Sequence, residues 1–223
     1  PNLIMVTSAL PGEGKTFCAL NLALSIASEV DSSVLLVDAD VVRPSVMTRL
    51  GLQGRVTGSH LTSMHSMDNY YVSKLIPLIA EAGVHAVANP LINITLQGRH
   101  DTYPKRRGMT RVPELMAAGV NVGFGHDCVM DPWYSLGSAD MLEVAQMGLH
   151  VAQMTSQAQM QACFDAVTVN SARILGLQDY GLAPGCHADL VLLQARSPVE
   201  AIRLRANRLW VMRRGQMIAR NAP

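Results

Sequence analysis

Short apolar runs alternate with amphipathic stretches along most of the chain, which is the pattern of consecutive strand–helix units. Five segments are predicted as strands of a parallel sheet: Leu3–Val6, Val34–Val37, Arg55–Ser59, Val84–Ala88 and Val120–Phe124. Five are predicted as helices: Phe17–Ser28, Tyr70–Ala82, Arg111–Ala118, Asp140–Met154 and Ala158–Leu175. The stretch from Asn89-Pro90 to Gly108 is predicted as a long loop. The pattern therefore predicts an α/β fold of parallel βα units.

The character of the chain changes near its end. Gly181–Leu193 is predicted as a turn leading into a strand. Leu209–Met212 and Gln216–Ala219 flank Arg213-Arg-Gly215, a spacing typical of a β-hairpin. We expect a small C-terminal β segment beside the α/β part.

Composition narrows the classes of protein. A chain of 223 residues that is 49% hydrophobic can bury a sizeable core. Its net charge of +1 argues against a nucleic-acid or membrane-surface partner, and no apolar run approaches the ~20 residues of a membrane span. Cys18, Cys128, Cys163 and Cys186 form no Cys-x-x-Cys pair, which predicts a reducing, cytoplasmic location. A first residue of Pro1 predicts a piece of a longer protein, and a homo-oligomer is left open.

A phosphate-binding turn is predicted between the first strand and the first helix. Gly12 and Gly14 would let backbone N–H groups approach an anion. Lys15 would place a charge on the β- and γ-phosphates of Mg-ATP, and the Thr16 hydroxyl would reach the Mg²⁺ ion. A Gly-rich turn that binds nothing is the alternative.

Ser8-Ala-Leu-Pro-Gly-Glu-Gly-Lys-Thr16 and Val34-Leu-Leu-Val-Asp-Ala-Asp-Val-Val-Arg-Pro44 together resemble bacterial tyrosine kinases of the P-loop type, relatives of the ParA/MinD ATPases. The resemblance implies that Asp38 and Asp40 serve the nucleotide's metal and the attacking hydroxyl. It ends near Leu50–Leu52, and the later Walker B strand and tyrosine-rich tail of that family have no counterpart.

Polar residues follow two of the later strands directly. His60 comes after the strand at Arg55–Ser59, and Gly125-His-Asp127 comes after Val120–Phe124. Carboxyl ends of parallel strands meet at one edge, where α/β folds place their chemistry. That edge would collect Gly12–Thr16, Asp38, His60 and Asp127, and Asp127 is the first candidate for a metal ligand or proton carrier. His126 is predicted to be a satisfied structural histidine.

From about Gly54 to its end, the chain resembles the second half of bacterial cytosine deaminases of the amidohydrolase superfamily. The motifs that carry the resemblance are Arg55-Val-Thr-x-Ser-His60, Val87-Ala-Asn-Pro-Leu91, Leu96-Gln-Gly-Arg-x-Asp-Thr-Tyr-Pro-Lys-Arg-Arg-Gly108 and Gly125-His-Asp-x-Val-x-Asp-Pro-Trp-Tyr134. It implies half of a TIM barrel, a piece of the adjoining β-sandwich and hydrolytic deamination of a small pyrimidine-like ring.

The resemblance also implies roles for individual residues. Asp127 matches the aspartate that binds a divalent metal, Fe or Zn, and handles the proton of the attacking water. His60 matches the histidine that orients the hydroxide, and Trp133 matches an aromatic wall of the base pocket. Cys128 stands where the family usually has a second aspartate. A thiol there makes the pocket less polar, so we expect a changed substrate such as 5-methylcytosine or another small cyclic amidine.

The remaining parts of that metal site have no counterpart in this sequence. The family's His-x-His pair, third histidine and proton-shuttling glutamate all precede the matched region. We therefore expect an incomplete metal site, and no deamination by this chain alone.

The predicted organisation has three segments: residues 1–53 as a P-loop βαβ fragment, 54–177 as half of a (β/α) barrel, and 178–223 as part of the β-sandwich. The preferred function is a cytosine deaminase-like, metal-dependent hydrolase. The alternatives are an ATP-binding tyrosine kinase fragment and a joined chain without an evolved function.

Overall fold

A computed structural model describes residues 3–7, 10, 12–29, 34, 36 and 46–221. The chain divides into two compact units, Pro1–Gln53 and Gly54–Pro223, and each is considered by itself.

The first unit contains the helix that the sequence predicts after the Gly-rich turn. Helix α1 spans Lys15–Ala27 and begins directly after Gly14, whose φ of 84° favours a residue without a Cβ. A short helix, α2, spans Val46–Arg49.

The predicted strand at Leu3–Val6 is wrong. Residues 3–7 form no strand, and the Leu3 side chain is 88% exposed. An apolar run becomes a strand only where a neighbouring strand takes its hydrogen bonds, and the described residues show no such pairing for it. Leu35 and Val37, half of the second predicted strand Val34–Val37, lie outside the described residues, as do Asp38 and Asp40.

The second unit is built on a small parallel sheet. Within residues 54–221, strands β1 (Thr57–Ser59), β2 (His85–Ala88) and β3 (Val122–Phe124) pair in the order β1-β2-β3, all parallel. Thr57 lies opposite His85, and Ala86 lies opposite Val122. The predicted α/β class with a parallel sheet is confirmed, and a closed barrel or a P-loop sheet stays a prediction.

Helices follow each of these strands. They are α3 (Asn69–Glu81), α4 (Pro90–Leu96), α5 (Val112–Ala117), α6 (Met141–Ala152), α7 (Gln157–Ala166), α8 (Val169–Ile174) and α9 (Pro198–Leu204). Local chemistry explains two of the starts. The Asp68 carboxylate accepts hydrogen bonds from the backbone N–H groups of Tyr70 and Tyr71, and Ser156 forms a capping box with Gln159.

Two predicted segments differ from the structure. The stretch predicted as a loop from Asn89 begins instead with α4, because proline is well suited to the first turn of a helix and Pro90 occupies that place. The single helix predicted over Ala158–Leu175 is two helices, α7 and α8. They are separated at Thr168, whose φ and ψ of −126° and −99° are not helical.

The C-terminal β segment forms an antiparallel sheet of its own within the described residues. Its strands are β4 (Leu190–Leu193), β5 (Arg208–Arg213) and β6 (Gln216–Arg220), in that order. The predicted hairpin is confirmed as β5 and β6. In the parts of the chain that the structure describes, no helix is long and apolar enough to cross a membrane.

The hydrophobic core lies around β3, whose three residues are all buried. Its largest fully buried side chains are Phe124, Leu115 and Ile202, which come from β3, α5 and α9. Helix α6 packs closely on this strand, since a Cβ added at Gly148 would lie 2.4 Å from Cε2 of Phe124.

This close packing predicts the effect of Gly148→Ala. In an open helix the change would stabilise by roughly 1 kcal/mol. Here we expect a net loss of about 1–3 kcal/mol, because the new methyl group overlaps the Phe124 ring. Urea unfolding followed by tryptophan fluorescence measures it, since Trp133 and Trp210 both belong to the second unit.

A second variant separates packing from helix propensity. In Phe124→Leu the smaller side chain makes room for the methyl group. The loss in the double variant should therefore be smaller than the sum of the two single losses. A rise in the urea midpoint for Gly148→Ala would show that α6 does not pack on β3 in this way.

Candidate active site

His60 and Asp127 meet at the carboxyl edge of the parallel sheet. The backbone N–H of His60 donates to the Val87 carbonyl at 2.8 Å and so continues the β1–β2 ladder past the end of β1. His60 Nε2 and Asp127 Oδ2 are 3.3 Å apart, with side chains 39% and 33% exposed. The site is therefore a partly solvated imidazole–carboxylate pair, and these two candidate residues lie together.

Both residues have an unusual backbone conformation. The φ of His60 is 64° and that of Asp127 is 68°, in the left-handed region that few residues other than glycine adopt. Such conformations cost free energy, persist where the surrounding structure enforces them, and cluster at functional sites. The left-handed backbone at both His60 and Asp127 is therefore typical of a functional site.

A buried asparagine of α4 contacts the His60 member of the pair. Asn93 Nδ2 lies 3.0 Å from His60 Nδ1, and the backbone N–H of Asn89 donates to Asn93 Oδ1 at 3.2 Å. Asn93 is only 2% exposed. Asn93 was not predicted as a site residue, because the sequence pattern indicated a loop from Asn89 onwards. The available signal was Asn89-Pro90 at a helix start, with Asn93 four residues after Asn89, so that both lie on one face of α4.

The loop after β3 carries the other two candidate residues, Cys128 and Trp133. Asp131 accepts hydrogen bonds from the backbone N–H groups of Trp133 and Tyr134, both at 2.9 Å. The Cys128 thiol donates to the Asp131 carboxylate, which raises the pKa of Cys128 to about 11 and lowers that of Asp131. Cys128 is thus a neutral thiol at physiological pH. The Trp133 side chain is 72% exposed, so its role as a pocket wall stays a prediction.

His126, predicted to be a satisfied structural histidine, is buried but only half satisfied. Its Nδ1–H donates to the Cys128 carbonyl at 2.8 Å, while its buried Nε2 has no hydrogen-bond partner among the described residues. The ring packs edge-on against Tyr134, and a Cβ at Gly137 would lie 2.4 Å from its Cε1. Close apolar packing explains why no polar group reaches Nε2.

The basic run Lys105–Arg107 organises its own loop. Lys105 Nζ donates to the carbonyls of Gly98, Arg99 and Asp101. Arg106 makes two hydrogen bonds of 2.7 Å to the Asp101 carboxylate and lowers its pKa to about 2. Arg107 donates to the Val151 carbonyl at 3.1 Å. These three basic side chains therefore hold the loop to its own chain.

The resemblance implies a divalent metal, and the donors that the site offers decide whether one fits. In the described residues, no three His, Cys, Asp or Glu side chains come together as a metal-binding group. Catalytic zinc sites use about three protein ligands and an open position. The described residues offer His60 and Asp127 at this edge, and they do not fit a complete metal site by themselves.

The Cys128–Asp131 contact predicts a change in thiol reactivity. Asp131→Asn keeps an oxygen for the two backbone N–H groups but removes the charge that holds the thiol protonated. We expect the pKa of Cys128 to fall from about 11 towards the ordinary 9.0. Each pKa unit gives about a tenfold rise in thiolate, so alkylation by iodoacetamide at about pH 8 should accelerate by tenfold or more.

Peptide mass spectrometry follows modification at Cys128 alone. Asp179→Asn, which changes an exposed carboxylate paired with His187, serves as the matched control and should leave the rate unchanged. Equal rates in Asp131→Asn and the unsubstituted protein would disprove the thiol–carboxylate contact.

Comparisons with known proteins agree with this geometry. The Amidohydrolase family model matches residues 38–218. Pterin deaminase of Rhizobium rhizogenes is 34% identical over 206 residues, which cover 92% of this chain and 46% of the relative. The crystal structure of 5-methylcytosine deaminase from Klebsiella pneumoniae liganded with 5-fluorocytosine has a TM-score of 0.76 and 42% identity, and covers 83% of this chain and 46% of that one.

The kinase-like resemblance has a shorter counterpart. Tyrosine-protein kinase YwqD of Bacillus subtilis is 47% identical over 53 residues, 24% of this chain and 22% of the relative. That the chain joins a kinase-like segment to a deaminase-like segment stays a prediction. The chain spans about half the length of the deaminase and amidohydrolase relatives that it matches most extensively. The matched residues, the parallel sheet and the polar pair at its carboxyl edge lead to one assignment: the chain belongs to the amidohydrolase family.

Proposed function

We propose that this chain carries part of the active site of a hydrolytic deaminase that acts on a cytosine-type ring. The observation that supports it is the His60–Asp127 pair, 3.3 Å apart at the carboxyl edge of a parallel sheet in an amidohydrolase. In this proposal residues 54–177 belong to a barrel, and residues 178–223 belong to the small β domain beside it.

The two side chains have complementary tasks in the proposed reaction. A water oxygen adds to the ring carbon that bears the amino group, and Asp127 accepts the proton released. The C–N bond then breaks and the proton goes to the departing nitrogen, which leaves as ammonia. The proton of the added hydroxyl moves to the ring nitrogen, so that the other product is the oxo ring. His60 holds the water by a hydrogen bond. Acid–base assistance of this kind contributes about 10²–10⁴ in rate.

The substrate class follows from Cys128. Its neutral thiol next to Asp127 offers a weakly polar wall, whereas a carboxylate there would have to lose its hydration to face an apolar group. We propose a preference for 5-methylcytosine over cytosine. The 42% identity to the Klebsiella pneumoniae 5-methylcytosine deaminase supports this choice. Trp133 is proposed as the aromatic surface that contacts the ring.

The first test concerns the chain alone. With added Fe²⁺ or Zn²⁺, we expect no release of ammonia from cytosine, 5-methylcytosine or creatinine. We also expect less than one tightly bound metal ion per chain, because the described residues contain no group of three donors. A coupled ammonia assay and metal analysis after dialysis measure both. Ammonia release that disappears in Asp127→Ala would show that further ligands come from outside the described residues.

A hybrid enzyme tests whether residues 54–223 support deamination when the missing part of the barrel is supplied. The part of the Klebsiella pneumoniae deaminase that this chain does not match is joined to residues 54–223, and the hybrid should then release ammonia. Asp127→Ala should lower kcat by about 10²-fold or more, whereas Asp179→Ala, at an exposed carboxylate, should leave it unchanged. A folded hybrid that is inactive, or insensitive to Asp127→Ala, would overturn the proposed function. A preference for cytosine would overturn the substrate assignment alone.

A second candidate function belongs to the first unit and is supported by its 47% identity to a tyrosine kinase segment. Gly12 and Gly14 have φ of 86° and 84°, and Lys15 opens the 13-residue helix α1. Positive helix N-termini bind phosphates. We propose weak Mg-ATP binding there, without tyrosine autophosphorylation.

Calorimetric titration with Mg-ATP tests this second candidate. Lys15→Ala should abolish binding, because it removes the charge that faces the β- and γ-phosphates. Lys74→Ala removes an exposed lysine that lies over the Tyr70 ring, and should have no effect. Binding that survives Lys15→Ala would place the nucleotide elsewhere.

A further inference from the structure

Asn93 is a buried polar side chain to which neither the resemblance nor the proposed reaction assigns a task. It lies on α4, four residues after Asn89, and is only 2% exposed. Its amide contacts the backbone of Asn89 on one side and the ring of His60 on the other. A buried amide with two such contacts constrains both partners.

The first contact determines which way the amide points. A backbone N–H can only donate, so the Asn93 atom 3.2 Å from the Asn89 nitrogen must be the acceptor Oδ1. The backbone N–H of Asn93 donates in turn to the backbone carbonyl of Asn89 at 2.9 Å, which stabilises the first turn of α4. The other amide atom, the donor Nδ2, therefore faces His60.

The second contact determines where the His60 ring carries its proton. An amide Nδ2 has no lone pair to offer, so His60 Nδ1 at 3.0 Å must be the acceptor. In the neutral ring the proton then resides on Nε2. That nitrogen lies 3.3 Å from Asp127 Oδ2, where a hydrogen-bond donor is also the favourable partner.

We propose that Asn93 is a positioning residue that holds His60 as the Nε2–H tautomer. His60 then donates a hydrogen bond towards Asp127 and the reacting water, and Asp127 is left as the group that accepts the proton. Asn93, which does not touch the substrate, thus determines that His60 acts as the hydrogen-bond donor and Asp127 as the proton acceptor. This inference rests on the proposed function for its mechanistic meaning, but the tautomer itself does not.

The tautomer can be measured on the full 223-residue chain without activity. Ring-¹⁵N-labelled histidine and long-range ¹H–¹⁵N correlations distinguish a protonated from an unprotonated ring nitrogen, and His60→Gln assigns the signals by their loss. We expect an unprotonated Nδ1 and a protonated Nε2. A neutral His60 ring with its proton on Nδ1 would overturn the proposal, whatever any variant does.

Asn93→Asp tests the cause. The carboxylate keeps an acceptor for the Asn89 N–H but turns a second acceptor towards His60, so His60 Nδ1 should become protonated. Asn207→Asp, at an exposed position in the turn between α9 and β5, is the matched control and should leave the His60 signals unchanged. An Nδ1 that stays unprotonated in folded Asn93→Asp would mean that Asn93 does not determine the tautomer.

The hybrid enzyme gives an independent activity readout. Misplacing the proton of a catalytic histidine is costly in other hydrolases, so Asn93→Asp should lower kcat by about 10²–10⁴-fold with less change in KM. An Nε2–H ring in an inactive hybrid would refute the proposed function and leave the positioning role standing. A normal kcat in Asn93→Asp would refute the positioning role and leave deamination standing.

Discussion

β2 is the strand on which the second unit depends, because its backbone hydrogen-bonds to a neighbour on both sides. The His85 N–H donates to Val56 and the Ala86 N–H donates to Asn121, while the Val87 and Ala88 carbonyls accept from His60 and Gly125. These last two bonds extend the ladders beyond the ends of β1 and β3. The backbones of His60 and of Gly125, two residues before Asp127, are therefore tied to one strand. Parallel pairing brings the His60 and Asp127 side chains to the same edge of the sheet, where they lie 3.3 Å apart.

The packing of Phe124 in β3 against α6 helps to fix the position of the carboxyl edge of the parallel sheet. Phe124, at the carboxyl end of β3, is covered by α6 at a position where only glycine leaves room for the ring. Three residues further along, Asp127 takes up its left-handed conformation. Because protein cores are close-packed, a displaced Phe124 would carry the following turn with it. The core and the site are thus linked through one short strand.

A chain of polar contacts crosses the site from the protein interior to solvent. A backbone N–H at Asn89, the amide of Asn93, the ring of His60 and the carboxylate of Asp127 form a line of contacts that runs from the buried start of α4 to solvent. Each donor faces an acceptor when His60 carries its proton on Nε2. Beside this line, the neutral thiol of Cys128 points to Asp131 and adds no charge. The arrangement places one carboxylate and one hydrogen-bond donor at the edge of the sheet, which are the two groups that the proposed addition of water uses.

Sequence alone determined the class of the second unit, most of its helices and the two polar residues at its strand ends. Apolar runs mark buried strands wherever they have partners, and residues that directly follow parallel strands must share an edge. Leu3–Val6 shows the limit, since an apolar run does not reveal whether a partner strand exists.

Only the tertiary structure decided which side chains meet across long separations in the chain. Asn93 and His60 are 33 residues apart, and their contact depends on where α4 begins relative to β1. The unpaired Nε2 of His126 and the exposure of Trp133 likewise depend on how one irregular loop folds back on itself. Periodicity records that a segment is buried, but the partner of a buried polar atom is set by three-dimensional packing, and that information is not local in the sequence.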